Sequence, residues 1–245
     1  MINADDWGRD AQTTDRTFEC FHHGALSSAS GMVFMEDSER AAAIAIEHRF
    51  DIGLHLNLSA PFSVPGIPTS LAIHHQKVCE YLCARRSARL LYHPGLANSF
   101  EYTVACQLEE FSRLYGKRPD RIDGHHHMHL SASVLLQGLL PSGTTVRRHF
   151  SYEPGEKIFR NFVFRLFSCA LLAGRYRVTD FFFSLPPLKP EVRLRRIFNL
   201  AQRSVVELET HPVNAEEYRF LTGGDLIRWT MDCPSAVTFG RDAAL

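Results

Sequence analysis

The chain has 245 residues, 45% of them apolar and 22% charged, which is enough to bury one large α/β core. Lysine plus arginine equals aspartate plus glutamate at 27 each, so no charge excess calls for a nucleic-acid partner. The longest apolar run, 162–173, contains Arg165 and is too short to cross a bilayer.

The chain opens on Met1-Ile2-Asn3-Ala4-Asp5-Asp6. If the acidic pair ends a strand, that strand has almost no body; either it is stunted or the reading frame begins upstream of Met1. Strand-like and helix-like segments then alternate. Residues 13–23 read as a helix stopped by Gly24, and 27–35 as a strand. Asp37 or Ser38 can cap a helix over 39–48. Residues 52–58 alternate as a strand, and the proline-bearing 59–73 reads as a loop. Helices are expected at about 76–92 and 100–115, a strand at 121–127, a short helix at 131–140 and a strand at 144–148. A helix over 156–173, a strand at 178–183, a helix at 190–202 and a strand at 205–209 follow. Short helices close the chain at 214–221 and 225–231. This alternation predicts an α/β fold: a parallel barrel, closed or nearly so, in one domain over 1–245.

Chemistry concentrates in Asp123-Gly124-His125-His126-His127-Met128-His129. On an extended strand, residues 123, 125, 127 and 129 share one face and aim a carboxylate and imidazoles at one point, as a divalent metal requires. The competing reading is a solvated histidine loop. Asp5-Asp6 is a second candidate, because a buried carboxylate pair needs a counter-charge; taken alone it reads more simply as a turn or helix cap. His55, in Gly53-Leu54-His55-Leu56-Asn57-Leu58, precedes a long loop, although a lone strand histidine is usually structural. His211, in Glu207-Leu208-Glu209-Thr210-His211-Pro212, is a candidate proton donor or a turn residue. The carboxylates at 207 and 209 would raise its pKa. These groups and Arg147 all fall at or after expected strand ends, where barrels place their chemistry. The six cysteines form no Cys-x-x-Cys pair, and nothing like a secretory segment precedes Asn3, so they read as reduced thiols of a cytoplasmic protein.

Asn3-Ala4-Asp5-Asp6-Trp7-Gly8, Gly53-Leu54-His55-Leu56-Asn57-Leu58, Ile122-Asp123-Gly124-His125-His126-His127-Met128-His129 and Glu209-Thr210-His211-Pro212 together resemble the four signature blocks of the YdjC-like carbohydrate deacetylases. That family includes chitooligosaccharide deacetylases and a hopanoid-associated branch. Trp7 stands where the family usually has Phe, and Val213 where Gly is frequent. The resemblance implies a distorted, incomplete TIM-like barrel. It also implies one divalent metal, zinc or magnesium, held by Asp6, His55 and His125. Asp5 would be the general base, His211 the general acid, and Arg147 the residue that steadies the active-site carboxylate or the substrate. His127 and His129 would lie behind these or touch substrate, with His127 the alternative to His125 as ligand. The implied substrate is a small acetylated amino sugar or its glycoconjugate. Oligomeric state stays open, a homodimer being one reading. Three rivals stand beside it: another metal-dependent hydrolase; a non-haem iron oxygenase, whose like ligand set favours antiparallel jelly rolls over strand–helix alternation; and a non-catalytic sugar- or metal-binding protein, which would need neither Asp5 nor His211.

Overall fold

A computed structural model of the chain describes residues 1–152, 165, 168–224 and 226. Seven strands form one parallel sheet: β1 Ile2–Trp7, β2 Ser28–Gly31, β3 Ile52–Leu56, β4 Arg121–Gly124, β5 Thr145–Val146, β6 Phe181–Ser184 and β7 Val206–Thr210. Their order is β5-β4-β3-β2-β1-β7-β6. The helices α1 Ala11–His22, α2 Ser38–His48, α3 Thr69–Ala84, α4 Ala97–Tyr115, α5 Ala132–Gln137, α6 Glu191–Ala201 and α7 Ala215–Thr222 follow their strands in turn. The sheet curls into an incomplete, distorted TIM-like barrel. Its open side lies between β5 and β6, where a single bridge joins Thr145 to Arg177.

Strand periodicity divides the residues between two environments. Ala4, Ala29, Leu54, Ile122 and Leu208 belong to the apolar core, as do helix residues such as Phe100 and Phe111. Their neighbours in sequence are polar and equally buried: Asn3 and Asp5, Ser28 and Ser30, His55, Arg121 and Asp123, Glu207 and Glu209. These form a hydrogen-bonded column. Ser28 donates to Asn3 (2.8 Å), Asn3 donates to Ser30 (2.8 Å) and to Asp5 (2.9 Å), and Ser30 donates to Asp123 (2.6 Å). Buried polar groups need such partners, and the column supplies them.

Several expected boundaries move, each for a local reason. β1 is six residues long, so it is not stunted: the acidic pair belongs to the body of the strand. α1 starts at Ala11, because the Asp10 carboxylate accepts from the backbone N–H of Thr13 at 2.7 Å and caps the helix two residues early. α3 begins at Thr69 directly after Pro68, so the expected loop is shorter and the helix earlier than 76–92. β4 stops at Gly124. The histidines leave the strand in a 3-10 segment, His125–Leu130, in which His126 and His127 have left-handed φ of 54° and 58°. They therefore do not alternate on one strand face. Of the expected helix 156–173, residues 168–173 are helical and most of the rest lies outside the described residues, as does most of 225–231. Among the described residues, no helix is long and apolar enough to cross a membrane.

Candidate active site

Every strand points its carboxyl end at the same rim, and the rim carries a cleft of about 590 Å³ lined by Asp5, Asp6, Arg9, His55, His125, His127, Glu209 and His211. The first strand is bent to serve it. β1 pairs with β2 through Asn3–Ser28 and Ala4–Ala29, then through Trp7–Gly31, so one extra residue bulges on β1. Asp6 takes a left-handed φ of 67° inside that bulge. The bulge turns two adjacent carboxylates toward different partners.

Asp6 faces the imidazoles. Its Oδ1 lies 3.0 Å from His125 Nδ1 and 3.3 Å from His55 Nε2, and its Oδ2 accepts from Arg9 Nη1 at 2.6 Å. His55 donates from Nδ1 to Asp123 Oδ1 at 2.8 Å, which leaves Nε2 to face Asp6. His55 and Asp123 are register partners on β3 and β4, so the sheet itself sets this pair. Burial opposes a charge on His55, but the carboxylates of Asp5 and Asp123 outweigh it and hold the imidazole pKa well above its usual range. Burial likewise works against the Asp6 carboxylate, yet hydrogen bonds from His125 and His55 hold its pKa far below normal. The place between these three side chains draws positive charge.

The donor set fits a divalent cation. Ligand atoms of Asp6, His55 and His125 all lie within 4.8 Å of one another. Ligands about 2.0–2.2 Å from a tetrahedral zinc stand roughly 3.3–3.6 Å apart, close to the spacings seen around Asp6 Oδ1. Asp123 behind His55 is the carboxylate–histidine arrangement that orients ligating imidazoles. His127 points elsewhere. Its Nε2 lies 3.7 Å from Glu209 Oε2, and its ring meets Phe150 and Phe182 edge-on. Burial, and then the Arg147 charge, push its pKa well below the ordinary histidine value. His129 is fully buried and donates from Nε2 to the Arg147 carbonyl at 3.0 Å, its pKa lowered by burial to about 4. The imidazole of His129 also explains Gly124: a Cβ there would meet the Leu56 carbonyl at 2.9 Å and His129 Nδ1 at 3.0 Å.

Asp5 faces Arg147. The guanidinium grips it in a fork, Nη1 to Oδ2 at 2.6 Å and Nη2 to Oδ1 at 2.7 Å. The same guanidinium reaches Asp123 (2.6 Å), Glu207 (2.6 Å) and Glu209 (3.3 Å), and Phe182 covers it at 4.9 Å from the ring centroid. Glu207 is therefore committed to Arg147 and is not the neighbour of His211 expected from their spacing. His211 follows β7 on a turn clamped by Glu217 of α7, which accepts from the His211 backbone N–H (2.8 Å), the Thr210 hydroxyl (2.7 Å) and the Asn214 amide (2.8 Å). Atoms of Asp5, Glu209 and His211 lie within 4.8 Å of one another.

Of the six residues singled out by sequence, Asp5, Asp6, His55, His125 and His211 line one cleft, and Arg147 is buried behind Asp5. Spacing alone missed Arg9, Asn3, Ser30 and the separate duties of Asp123, Glu207 and Glu209. Asp123 was visible within the histidine block, but its pairing with His55 depends on strand register. Arg9 follows Asp6 by three residues, a turn spacing that carries no charge signal of its own.

Comparison with known proteins bears on the family and the fold. A chitooligosaccharide deacetylase from Yersinia pestis (strain Pestoides F) is 29% identical over 135 residues, which is 55% of this chain and 51% of that protein. One from Yersinia pseudotuberculosis serotype O:1b (strain IP 31758) matches to the same extent. The aligned part is thus about half the length of these relatives. A crystal structure from Enterococcus faecalis V583, of a protein provisionally assigned to cellobiose-phosphate cleavage, superposes with a TM-score of 0.64 at 16% identity, covering 98% of this chain and 95% of that one; it supports the fold. Residues 1–228 match the family described as YdjC-like protein, and the chain belongs to that family.

Proposed function

We propose that this protein is a metal-dependent hydrolase that removes the N-acetyl group from an acetylated amino sugar or its glycoconjugate. The observation that carries this reading is the meeting of Asp6, His55 and His125 beside Asp5 and His211 in one cleft. Asp6, His55 and His125 would hold the cation. When bound, a zinc or magnesium ion would supply Lewis acidity, lowering the pKa of a water and polarising the acetamide carbonyl. Two imidazoles in the set favour zinc or another transition metal over magnesium.

Asp5 takes a proton from the attacking water as oxygen adds to the carbonyl carbon. Arg147 fixes the carboxylate's direction with its two-pronged grip. His211 gives a proton to the sugar nitrogen as the C–N bond breaks, since an amine leaves poorly as an anion. The products are acetate and the free amino sugar. The relatives named above act on chitooligosaccharides; the hopanoid-associated branch offers a second substrate type, an amino sugar on a lipid. We read the chain as one domain. The unpaired cysteines among its described residues fit a reducing cytoplasm.

The test is mass spectrometry of acetylated amino sugars, diacetylchitobiose among them, incubated with the metal-loaded protein. Loss of one acetyl mass is the expected result. His211→Ala should slow acetamide cleavage far more than cleavage of an activated acetyl ester, which needs no proton on its leaving group. No deacetylation across the panel, or equal losses on amide and ester, would overturn the reading and the role of His211 respectively.

A further inference from the structure

Arg9 lies just past the block that runs from Asn3 to Gly8, so the family resemblance assigns it no role. The turn after β1 folds it back on Asp6 twice. Its backbone N–H donates to the Asp6 carbonyl at 3.0 Å, and its Nη1 donates to Asp6 Oδ2 at 2.6 Å. Gly8 permits this turn: its φ is 83°, and a Cβ there would press on Ala41 Cβ at 3.2 Å and Ser38 Cα at 3.3 Å.

The other edge of the guanidinium is fixed as well. Nε donates to Asp10 Oδ2 at 2.9 Å and Nη2 to Thr13 Oγ1 at 3.3 Å. Asp10 is itself the cap of α1, with Oδ1 accepting from the Thr13 N–H and the Thr13 hydroxyl, both at 2.7 Å. The Arg9 side chain is 30% exposed, yet three contacts tie it to the start of a helix. It is a fixed group on the cleft wall, not a loose surface cation.

This divides the duties of the two Asp6 oxygens. Oδ2 is engaged by Arg9, and Oδ1 faces His125 at 3.0 Å and His55 at 3.3 Å. A carboxylate can offer a cation one oxygen or both. Zinc is satisfied by four ligands, whereas manganese and magnesium favour six, mostly oxygens. A second oxygen from Asp6 would therefore serve those cations more than zinc. We propose that Arg9 is a positioning residue that restricts Asp6 to a single ligating oxygen and so tilts the choice of cation toward zinc. The inference rests on the assignment of Asp6, His55 and His125 as ligands made above. Arg9 acts through Asp6 and not on the substrate. Its charge alone would not do this, because a nearby guanidinium opposes every divalent cation alike. Engaging Oδ2 acts on the number of ligands, which separates one cation from another.

Arg9→Met tests it by freeing Oδ2 while keeping an unbranched side chain at the start of α1. Calorimetric titration of the metal-free full chain with zinc and with manganese gives two dissociation constants. Their manganese-to-zinc ratio should fall by about tenfold or more in the variant, the size typical of a partner behind a ligand. Loading with cobalt gives a second readout, since its visible bands are intense with four ligands and weak with six. Those bands should lose intensity in Arg9→Met relative to wild type. Both affinities rising together at an unchanged ratio would reduce Arg9 to a surface charge. A lower melting temperature at an unchanged ratio would reduce it to a support for α1. Either result, or an unchanged cobalt spectrum, overturns the proposal. Arg9→Lys keeps the charge and a donor for Oδ2 without the fork, and should fall between wild type and Arg9→Met in both readouts. A lysine variant no closer to wild type than the methionine variant would also overturn it. Wild type that takes up neither zinc nor cobalt would instead remove the metal assignment, and this proposal with it.

Discussion

Replacing Arg147 by methionine should cost this protein much of its stability, and the loss should shrink in acid. Arg147 is 1% exposed and touches four carboxylates, so the apolar side chain would leave them without their shared guanidinium and with only the charges of His55 and Arg121 inside the barrel to offset theirs. Removing one partner of a buried pair costs about 3–5 kcal/mol. That is a large share of the roughly 5–15 kcal/mol that holds a domain folded. The melting temperature should fall by roughly 6–20 °C. The pH dependence follows from Asp123. Burial disfavours its charge, but Arg147 and His55 overcome this and hold its pKa far below normal. A carboxyl depressed in this way contributes stability that is full above its unfolded pKa of about 4 and lost as pH falls through the folded value. Wild type carries that dependence. In Arg147→Met that depression of Asp123 is weakened, and Glu207 and Glu209, which burial already raises, lose the Arg147 charge that offsets it and take up protons on folding, so the deficit against wild type narrows as pH falls from about 7 to 5. Urea unfolding of both proteins at the two pH values measures it. A deficit under about 1 kcal/mol at pH 7, or one that widens at pH 5, would refute the reasoning. Arg147→Lys should recover only part of the loss, because one ammonium cannot match the fork on Asp5 while reaching Asp123 and Glu207.

Three further outcomes are expected. Asp123→Asn removes the carboxylate behind His55 and should weaken zinc binding about 10–100-fold by isothermal titration calorimetry, while Asp6→Ala or His125→Ala should abolish tight binding. Asp5→Asn should retain the metal but lose about 10²–10⁴-fold in turnover, since an amide cannot accept the water's proton; loss of the metal instead would mean that Asp5 and Asp6 exchange roles. His75 is buried against Phe62 with its pKa lowered by burial to about 4. The unfolded chain therefore binds this proton first as pH falls from about 6.5 to 4, and stability drops by up to about 3 kcal/mol over that window. His75→Gln should flatten that part of a melting-temperature profile.

Much of the site was legible because barrel strands end at one rim and the strands of this chain are short. His55, Arg147 and His211 could be placed at or just after strand ends from alternation alone, whereas Asp5, expected to close its strand, lies within the body of β1. Period two also told which residues face inward. In Val206-Glu207-Leu208-Glu209 the charges share the interior face with Asn3, Ser28 and Arg121. Two kinds of information were hidden. Strand register, which sets His55 against Asp123, depends on how the whole sheet packs. Backbone reversals, such as the left-handed His126 and His127 or the bulge at Asp6, place non-glycine residues where their own preferences argue against it. The histidine block consequently read as an extended face, although its chain coils away after Gly124. The role of Arg147 as a hub of four carboxylates was invisible for a related reason: its partners lie up to 142 residues away in sequence.

The pairing of the first strand with the last, where the Met1 amine reaches the Val206 carbonyl across 205 positions, has a consequence for biogenesis. During synthesis β1 emerges long before β7 can join it, and its Asp5 emerges well ahead of Arg147. Until Arg147 is made, a collapsed amino-terminal half would have to bury Asp5 and Asp123 without the guanidinium that joins them. That cost should discourage compaction of the amino-terminal half on the ribosome before Arg147 is available. Tight metal binding, which draws on β1, β3 and the segment after β4, would then report on a nascent chain that has passed this point.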